Sequence, residues 1–178
     1  MKVAVFGKPG GGKSTLSQRI AAVVQAPLHQ LDLVQFAEGG VRIADAEFRE
    51  RHARILATGE WVVDGFGNAQ LFRDLLQAAD TLVYVERPSH VHYWWVTKRL
   101  LLSPVRWPLG WPKGSPLVQS TLSSYRILRI SHTFWTDAFR DEILALRPAK
   151  NVYLVRRQSD ADAMLRDLRV RAARRGVR

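Results

Sequence analysis

Residues 7–14 read GKPGGGKS and match the pattern GxxxxGK(S/T) at every position. A short apolar run, Lys2 to Phe6, precedes them and predicts a buried strand, whereas apolar residues at helical spacing follow and predict a helix from Lys13 to Gln25. A bare glycine turn is the alternative, but strand before and helix after are the context that the pattern requires. The stretch therefore predicts a loop that binds the phosphates of a nucleotide.

Glycines let such a loop curl until its backbone N–H groups surround phosphate oxygens, and the helix that follows directs its positive end at the same place. Lys13 would bridge the β- and γ-phosphates, and the Ser14 hydroxyl would bind Mg²⁺. The motif predicts nucleotide binding without choosing the reaction. We expect the nucleotide contacts to come from Gly7, Pro9, Gly10, Gly11, Gly12, Lys13, Ser14 and Thr15.

Further apolar runs along the chain predict four more strands, separated by helical patterns, and so an α/β fold with a parallel sheet covered on both faces. Ligands of such sheets bind beyond the carboxyl ends of the strands. With 178 residues, we expect one domain over 1–178. The predicted strands are Leu28–Leu31, Trp61–Val63, Thr81–Val85 and Asn151–Val155, and the longest helical stretches are Ser89–Leu102, Leu122–Leu146 and a basic helix over about 160–175.

Two carboxylates follow predicted strands and should lie on the same rim as the glycine loop. Asp64 ends the run Trp61-Val62-Val63 and can hold the shell of a Mg²⁺ ion. Asp32 follows Leu31 and is a candidate either to accept a proton from a substrate hydroxyl or to help place the metal. A helix cap or a surface turn is the alternative for each.

The charge is strongly basic, with 27 Lys and Arg against 16 Asp and Glu, a net charge of +11, which predicts attraction to polyanions. No acidic residue occurs between Arg87 and Thr136, and the C-terminal tail is rich in arginine. The absence of cysteine excludes disulfides and thiolate metal sites. No apolar run is long enough for a transmembrane segment, and we expect a cytoplasmic protein.

The acid-free stretch also holds five of the six tryptophans: Trp94, Trp95, Trp107, Trp111 and Trp135. A basic lid over about 103–124 would stabilise developing negative charge and exclude water. We expect Trp94 and Trp95 to pack in the core, while Trp107 and Trp111 either stack on a ligand or form a surface for a partner or a membrane. Arg99 is the favoured phosphate contact here, ahead of Arg126 and Arg129.

Four blocks in order carry a resemblance to a known family: GKPGGGKSTL at 7–16, HQLD at 29–32, WVVDGFGN at 61–68 and ADTLVYVERP at 79–88. Together they resemble the adenylate-kinase-like P-loop kinases, and within them the small proteins often labelled DNA topology modulation proteins. The resemblance covers nearly the whole chain. It implies a P-loop three-layer sandwich with strand order 2-3-1-4-5, a mobile lid, and MgATP as phosphoryl donor.

The resemblance also assigns residues. Asp64-Gly65 matches the family's Asp-Gly at the end of the third strand, but Phe66-Gly67-Asn68 follows where adenylate kinases have Phe-Pro-Arg. The arginine that contacts the acceptor nucleotide there is thus absent, which puts AMP as acceptor in doubt. Arg73 matches an arginine often found in the subgroup and would bind substrate in its place. Lys98-Arg99 resembles the basic pair beside the lid that grips the transferring phosphates.

The sequence therefore leaves three functions open. The first is a kinase that transfers the γ-phosphoryl of MgATP to a small-molecule acceptor such as a nucleotide, a nucleoside or another hydroxyl metabolite. Lys13, Asp32, Asp64 and Arg99 would carry its chemistry, with Ser14 and Asp64 on the metal. The second is an ATP-dependent, nucleic-acid-associated regulator that binds through the basic lid and tail. The third is a protein that docks on a membrane or partner through its tryptophans.

Overall fold

The computed structural model describes residues 1–103, 114 and 116–175. Trp107, Trp111 and half of the predicted lid lie outside the described residues. The described part of the chain alternates strands and helices from end to end. It is an α/β fold, as the sequence predicts.

One sheet of five parallel strands organises the described residues, and its strand order is β2-β3-β1-β4-β5. The order 2-3-1-4-5 that the resemblance implies is confirmed. Lys2 pairs with Trp61 on one side of β1, and Val3 pairs with Thr81 on the other. The strands are β1 (Lys2–Gly7), β2 (Leu28–Gln30), β3 (Trp61–Asp64), β4 (Thr81–Val85) and β5 (Asn151–Val155).

Eight α-helices connect or flank the described strands, and short 3₁₀ turns lie at Glu38–Gly40 and Ser131–Thr133. The first helix ends shortly before Pro27, because a proline disfavours the helical conformation in the residue that precedes it. The helices are α1 (Lys13–Val24), α2 (Leu31–Gln35), α3 (Asp45–Ala57), α4 (Ala69–Ala78), α5 (Ser89–Leu102), α6 (Leu117–Ile130), α7 (Asp137–Ala145) and α8 (Gln158–Arg175). None of these helices is long and apolar enough to cross a bilayer.

The helical stretch predicted over Leu122–Leu146 is divided into α6 and α7. The 3₁₀ turn ends α6, and the Thr136 side chain then accepts a hydrogen bond from the Phe139 backbone N–H, which caps α7. Threonine favours this capping position because its side-chain oxygen satisfies an N–H that the first helical turn leaves unpaired. The break places Phe134 and Trp135 between two helices rather than within one.

Alternate residues of β1 face opposite sides of the sheet and seed two cores. Val3 and Val5 pack on one side with α1 and α8. Ala4 and Phe6 pack on the other side, with Phe48 of α3 and Leu75 of α4. Because both faces are covered, all of β1 except Lys2 is buried, as expected for the central strand of a parallel sheet.

Aromatic rings fill the second core near the carboxyl ends of the strands. The Trp135 ring lies 5.5 Å from that of Tyr84 and 5.2 Å from that of Phe139, measured between centroids. The expectation that Trp94 and Trp95 pack in the core is wrong, because they are 61% and 48% exposed. Helix α5 instead packs through His92 and Val96, which are both fully buried.

Candidate functional site

The loop between β1 and α1 is a turn that depends on glycine. Gly10 and Gly12 have φ angles of +71° and +81°, a region that residues with a Cβ rarely adopt. A Cβ on Gly10 would also lie 2.6 Å from the His92 carbonyl oxygen and 2.9 Å from a Val96 methyl carbon. The loop is therefore pressed against α5, and its curl leaves room for phosphate oxygens in front of the α1 N-terminus.

Lys13 begins α1 and reaches back over the loop, where its Nζ donates to the Lys8 carbonyl oxygen at 2.9 Å. Burial lowers the pKa of the Lys13 ammonium, while the negative charges of Asp64 and Asp32 oppose that change. Lys13 thus lies close enough to both carboxylates to feel their charge. This arrangement places one cation and two anions around the mouth of the loop.

A single cleft of about 880 Å³ opens at this rim of the sheet. It is lined by every residue that the sequence assigns to the nucleotide, namely Gly7, Pro9, Gly10, Gly11, Gly12, Lys13, Ser14 and Thr15. Asp32, Asp64 and Arg99 line the same cleft. Its volume is near the upper end of the range of about 300–1,000 Å³ for small-molecule sites.

Asp64 is the last residue of β3 and is only 5% exposed. Burial raises the pKa of its carboxyl, while nearby Lys13 and Ser14 favour the charged form. One of its oxygens, Oδ1, is buried without a hydrogen-bond partner. A buried, unpaired carboxylate oxygen is costly, so the site has room for a partner that the described residues do not supply.

The unpaired Oδ1 of Asp64 shows that Asp64 and Ser14 fit a Mg²⁺ ion. Mg²⁺ prefers hard oxygen ligands and is usually held by one or two carboxylates together with the phosphates of a substrate. Asp64 and Ser14 offer a carboxylate and a hydroxyl beside the phosphate loop. Within the described residues no cluster of three acidic or histidine side chains could hold a metal ion.

Asp32 differs from the sequence-based expectation in its backbone. Strand β2 ends at Gln30, and Asp32 lies in the first turn of the short helix α2 rather than directly after a strand. Its side chain is exposed to the open cleft. The enclosing cleft walls and the charge of Asp64 raise the pKa of its carboxyl, while Lys13 and Arg99 oppose the rise.

Helix α5 contributes the basic wall of the cleft. Arg99 donates from Nη2 to the Ser124 hydroxyl of α6 at 3.0 Å. Burial lowers the pKa of its guanidinium, while the negative charge of Asp32 opposes that change. Lys98 lies over the Trp95 ring, 4.9 Å from its centroid. Residues 95, 98, 99 and 102 share one helical face, and all of them line the cleft.

His92 is a site residue that the sequence reasoning missed. It is fully buried, with Nδ1 2.7 Å from the Pro9 carbonyl oxygen and Nε2 3.1 Å from the Arg87 carbonyl oxygen. Burial lowers its pKa to about 4, and the charges of Lys13 and Lys8 add to this effect, while the two carbonyls oppose it. From the sequence we interpret the pair His90-x-His92 as incidental, because no sequence pattern indicates that His92 contacts the phosphate loop.

Arg73, like the less favoured candidates Arg126 and Arg129, is a predicted site residue that the structure does not bring to the cleft. It is exposed on α4 and is not among the residues that line the cleft. A substrate contact by Arg73 stays a prediction. The cleft also contains apolar residues that sequence reasoning did not assign to it, among them Phe66, Ile127, Ile130 and Phe134.

Neither the protein-family models nor the curated proteins contain a match to this chain. Solved structures do match. A shikimate kinase from Acinetobacter baumannii, in complex with shikimate, has a TM-score of 0.51 at 15% identity, over 94% of this chain and 90% of that one. A candidate kinase from Chloroflexus aurantiacus has a TM-score of 0.52 at 16% identity, over 94% of this chain and 95% of that one.

The chain has the fold of the P-loop kinases. At these identities the likeness concerns the fold alone, and it extends over almost the full length of each chain. Neither of these two structures is described as a DNA topology modulation protein, the subgroup that the sequence resembles.

Proposed function

We propose that this protein is a kinase that transfers the γ-phosphoryl group of MgATP to a hydroxyl of a small-molecule acceptor. The observation that carries the proposal is one cleft lined by the phosphate loop with Lys13, by the carboxylates Asp32 and Asp64, and by Arg99. The shikimate kinase neighbour acts, by its name, on a small molecule, which supports the same class of acceptor here. We also propose the cytoplasm, where ATP is supplied, as its location.

The phosphate loop and Lys13 would hold the triphosphate. Backbone N–H groups of the loop and the α1 N-terminus favour negative charge, and the Lys13 ammonium would leave the Lys8 carbonyl for the β- and γ-phosphates. Ser14 and the unpaired Asp64 oxygen would hold Mg²⁺. When bound, Mg²⁺ neutralises charge that develops on the phosphate oxygens.

Asp32 would handle the acceptor's proton. Its carboxylate accepts the proton of the acceptor hydroxyl as that oxygen bonds to the γ-phosphorus, while the bond from phosphorus to the β,γ-bridging oxygen breaks and ADP leaves. A base is most effective when its pKa lies near the working pH, and the upward shift at Asp32 moves it in that direction. Arg99 would stabilise the negative charge that spreads over the transferring group.

The test is ATP binding and ATP consumption by the purified protein. We expect Lys13→Ala to weaken binding of a nonhydrolysable ATP analogue, measured by calorimetry with magnesium, and to lower turnover by at least about 100-fold, the range seen for loss of one transition-state contact. Lys8→Ala is the matched control, because it removes a lysine from the same loop whose side chain does not line the cleft. Wild-type protein that neither binds the analogue nor consumes ATP with any acceptor would overturn the proposal.

A second variant separates binding from chemistry. Asp32→Asn keeps the shape of the side chain and removes its ability to accept a proton. We expect it to bind the ATP analogue as the wild type does and to lose about 100-fold to 10,000-fold in turnover, the contribution of a positioned general base. Equal turnover in this variant would remove Asp32 from the chemistry while leaving the nucleotide site intact.

A further inference from the structure

The cleft has two halves that differ in their side chains. The first is formed by the phosphate loop, α1 and the residues of α5, and it is the half to which the triphosphate is assigned. The second, which we call the acceptor half, is formed by α2, the β3–α4 loop and the end of α6 with its 3₁₀ turn. Its principal side chains are Asp32, Phe36, Phe66, Ile127, Ile130 and Phe134.

The cations that line the cleft belong to elements of the first half, and two of them, Lys13 and Arg99, also act on Asp32. Among the residues that the structure describes, the cations lining the cleft are Lys13 and Arg19 of α1, Arg87 after β4, and Lys98 and Arg99 of α5. The described elements of the acceptor half contribute no lysine or arginine to the lining, and α2 adds the carboxylate Asp32. Because Lys13 and Arg99 are assigned to the phosphates, an anionic group on the acceptor would have to compete with the phosphates for these cations.

Apolar surface in the acceptor half is exposed to the open cleft. Ile127, Ile130 and Phe134 line it while remaining 48%, 57% and 40% exposed. Large apolar side chains that stay accessible in a concave site gain free energy when a ligand removes them from water. The exposure therefore calls for a ligand with an apolar or aromatic body.

The apolar wall is held in place before any ligand binds. The Phe66 ring lies 4.5 Å from that of Phe72 and 4.8 Å from that of Phe134, and Phe134 lies 5.2 Å from Trp135. Phe72 is buried in the second core, where its ring lies 5.1 Å from that of Phe6 in the central strand. A wall anchored in this way is preorganised, so little ordering cost offsets the contacts it makes.

We propose that the acceptor is an uncharged alcohol with an aromatic or branched apolar body, which lies against Phe66, Ile127 and Phe134 and presents its hydroxyl to Asp32. The inference rests on the proposed function and specifies its substrate class. It sets apart from this class the acceptors that carry a phosphate or a carboxylate, and the polyols that have no apolar body. The described elements of this half supply no lysine or arginine, and the cations next to Asp32 are assigned to the phosphates, so an anionic acceptor would compete with them. Polyols cannot cover the exposed apolar side chains.

A set of three alcohols tests the two parts of the proposal separately. 2-Phenylethanol has a primary hydroxyl and a ring, ethylene glycol has the hydroxyl without the ring, and 4-(2-hydroxyethyl)benzoate has both together with a carboxylate. We expect kcat/KM with MgATP to be at least tenfold higher for 2-phenylethanol than for either of the others, with the phosphorylated product identified by mass spectrometry. A preference for the glycol or the benzoate would overturn the proposal.

A charge introduced on α6 tests the location. Ile127→Lys places a cation in the acceptor half at an exposed position, so the fold should tolerate it. We expect the variant to lose activity on 2-phenylethanol and to gain relative activity on the benzoate, shifting their ratio at least tenfold. Leu122→Lys is the matched control, because Leu122 is 62% exposed on the same helix and does not line the cleft. An equal shift in both variants would overturn the location.

Binding measured without turnover keeps this inference distinguishable from the proposed function. Saturation-transfer NMR with each alcohol, in the presence of magnesium and a nonhydrolysable ATP analogue, reports acceptor binding alone. Binding of 2-phenylethanol that Ile127→Lys weakens would support the acceptor class even if no phosphoryl transfer occurs, which would then count against the kinase chemistry only. Ring-independent binding would overturn the acceptor class even in an active kinase.

Discussion

His92 joins two parts of the site through a single buried ring. Its nitrogens lie within hydrogen-bonding distance of the Pro9 and Arg87 carbonyls, which belong to the phosphate loop and to the segment before α5. A neutral imidazole has one N–H to donate, so it donates to one of these carbonyls at a time. His92 therefore holds α5, whose basic face lines the cleft, against the phosphate loop.

The neutral state of His92 makes stability depend on pH. Its pKa is lowered from 6.5 to about 4 in the folded protein, so between these values the unfolded chain binds the proton more tightly. The stabilisation is complete above pH 6.5 and is lost as the pH falls toward 4. We expect this residue to account for about 3 kcal/mol of the loss in unfolding free energy over that window, measured by urea denaturation at a series of pH values.

A pair of variants isolates the contribution of His92. His92→Gln removes the titrating group, so its stability should fall less steeply between pH 6.5 and 4 than that of the wild type. His90→Gln, an exposed position on the same helix, should reproduce the wild-type slope. Parallel slopes for wild type and His92→Gln would show that this histidine titrates normally in the folded state.

At the scale of elements, the start of α4 determines where the cleft wall begins. Asn68 caps this helix, and its side-chain oxygen accepts from the backbone N–H groups of Gln70 at 3.1 Å and Leu71 at 3.0 Å. Phe66 and Gly67 lie directly before the cap and line the cleft. The cap thus holds the β3–α4 loop at the point where the chain leaves the sheet.

We expect Asn68→Ala to lower the unfolding free energy by about 1 kcal/mol, because two backbone N–H groups lose their acceptor. Asn68→Asp keeps an acceptor oxygen at the cap and should stay within a few tenths of a kcal/mol of the wild type. Thermal and urea unfolding of the three proteins measures the difference. Equal stability of the alanine variant would show that water replaces the cap without cost.

Elements were predictable where the sequence pattern is local and unambiguous. The bounds of β4 and of α5 match the prediction. A clear apolar run defines β4, and a proline separates it from α5. The strand predicted over Leu28–Leu31 is one residue shorter, since Leu31 begins α2 and packs below Gly65. So short an apolar run carries too little periodicity to separate a strand end from a helix start.

The same distinction between local sequence patterns and tertiary packing applies to the residues of the candidate site. Residues 7–15 were predictable because the phosphate loop is a contiguous motif. Phe66, Ile127 and Phe134 meet only through tertiary packing, and nothing in their spacing shows that they share a wall. Trp94 and Trp95 illustrate the reverse error, because residue type suggested burial while the packing face of α5 is formed by its neighbours.

At the scale of the whole molecule, the net charge of +11 is larger than the positive charge of the described lysines and arginines that line the cleft. Part of the tail's charge is paired on the surface, as between Arg175 and Asp80 at 3.3 Å and between Arg171 and Asp167 at 2.9 Å. Exposed pairs of this kind are each worth about 1 kcal/mol or less. They leave the molecule strongly cationic, and so open to nonspecific contact with polyanions.

We expect weak binding to duplex DNA at low salt, without preference for sequence, because phosphate contacts alone would drive it. Affinity should fall by about 1,000-fold or less between roughly 50 and 200 mM salt if up to six phosphates are contacted. Fluorescence anisotropy with two unrelated duplexes measures both properties, and Lys13→Ala should bind as the wild type does. Binding that resists salt or depends on ATP would instead favour the nucleic-acid-associated regulator.

The pairing of β1 has a consequence for how the chain is assembled during synthesis. Lys2 pairs with Trp61 and Val3 pairs with Thr81, so β1 leaves the ribosome long before β3 and β4, the strands it pairs with. Long-range parallel pairing of this kind is slow, because the entropic cost of closing the intervening chain is met before the contact forms. The glycine loop, which follows β1 directly, is thus among the later parts to reach its final shape.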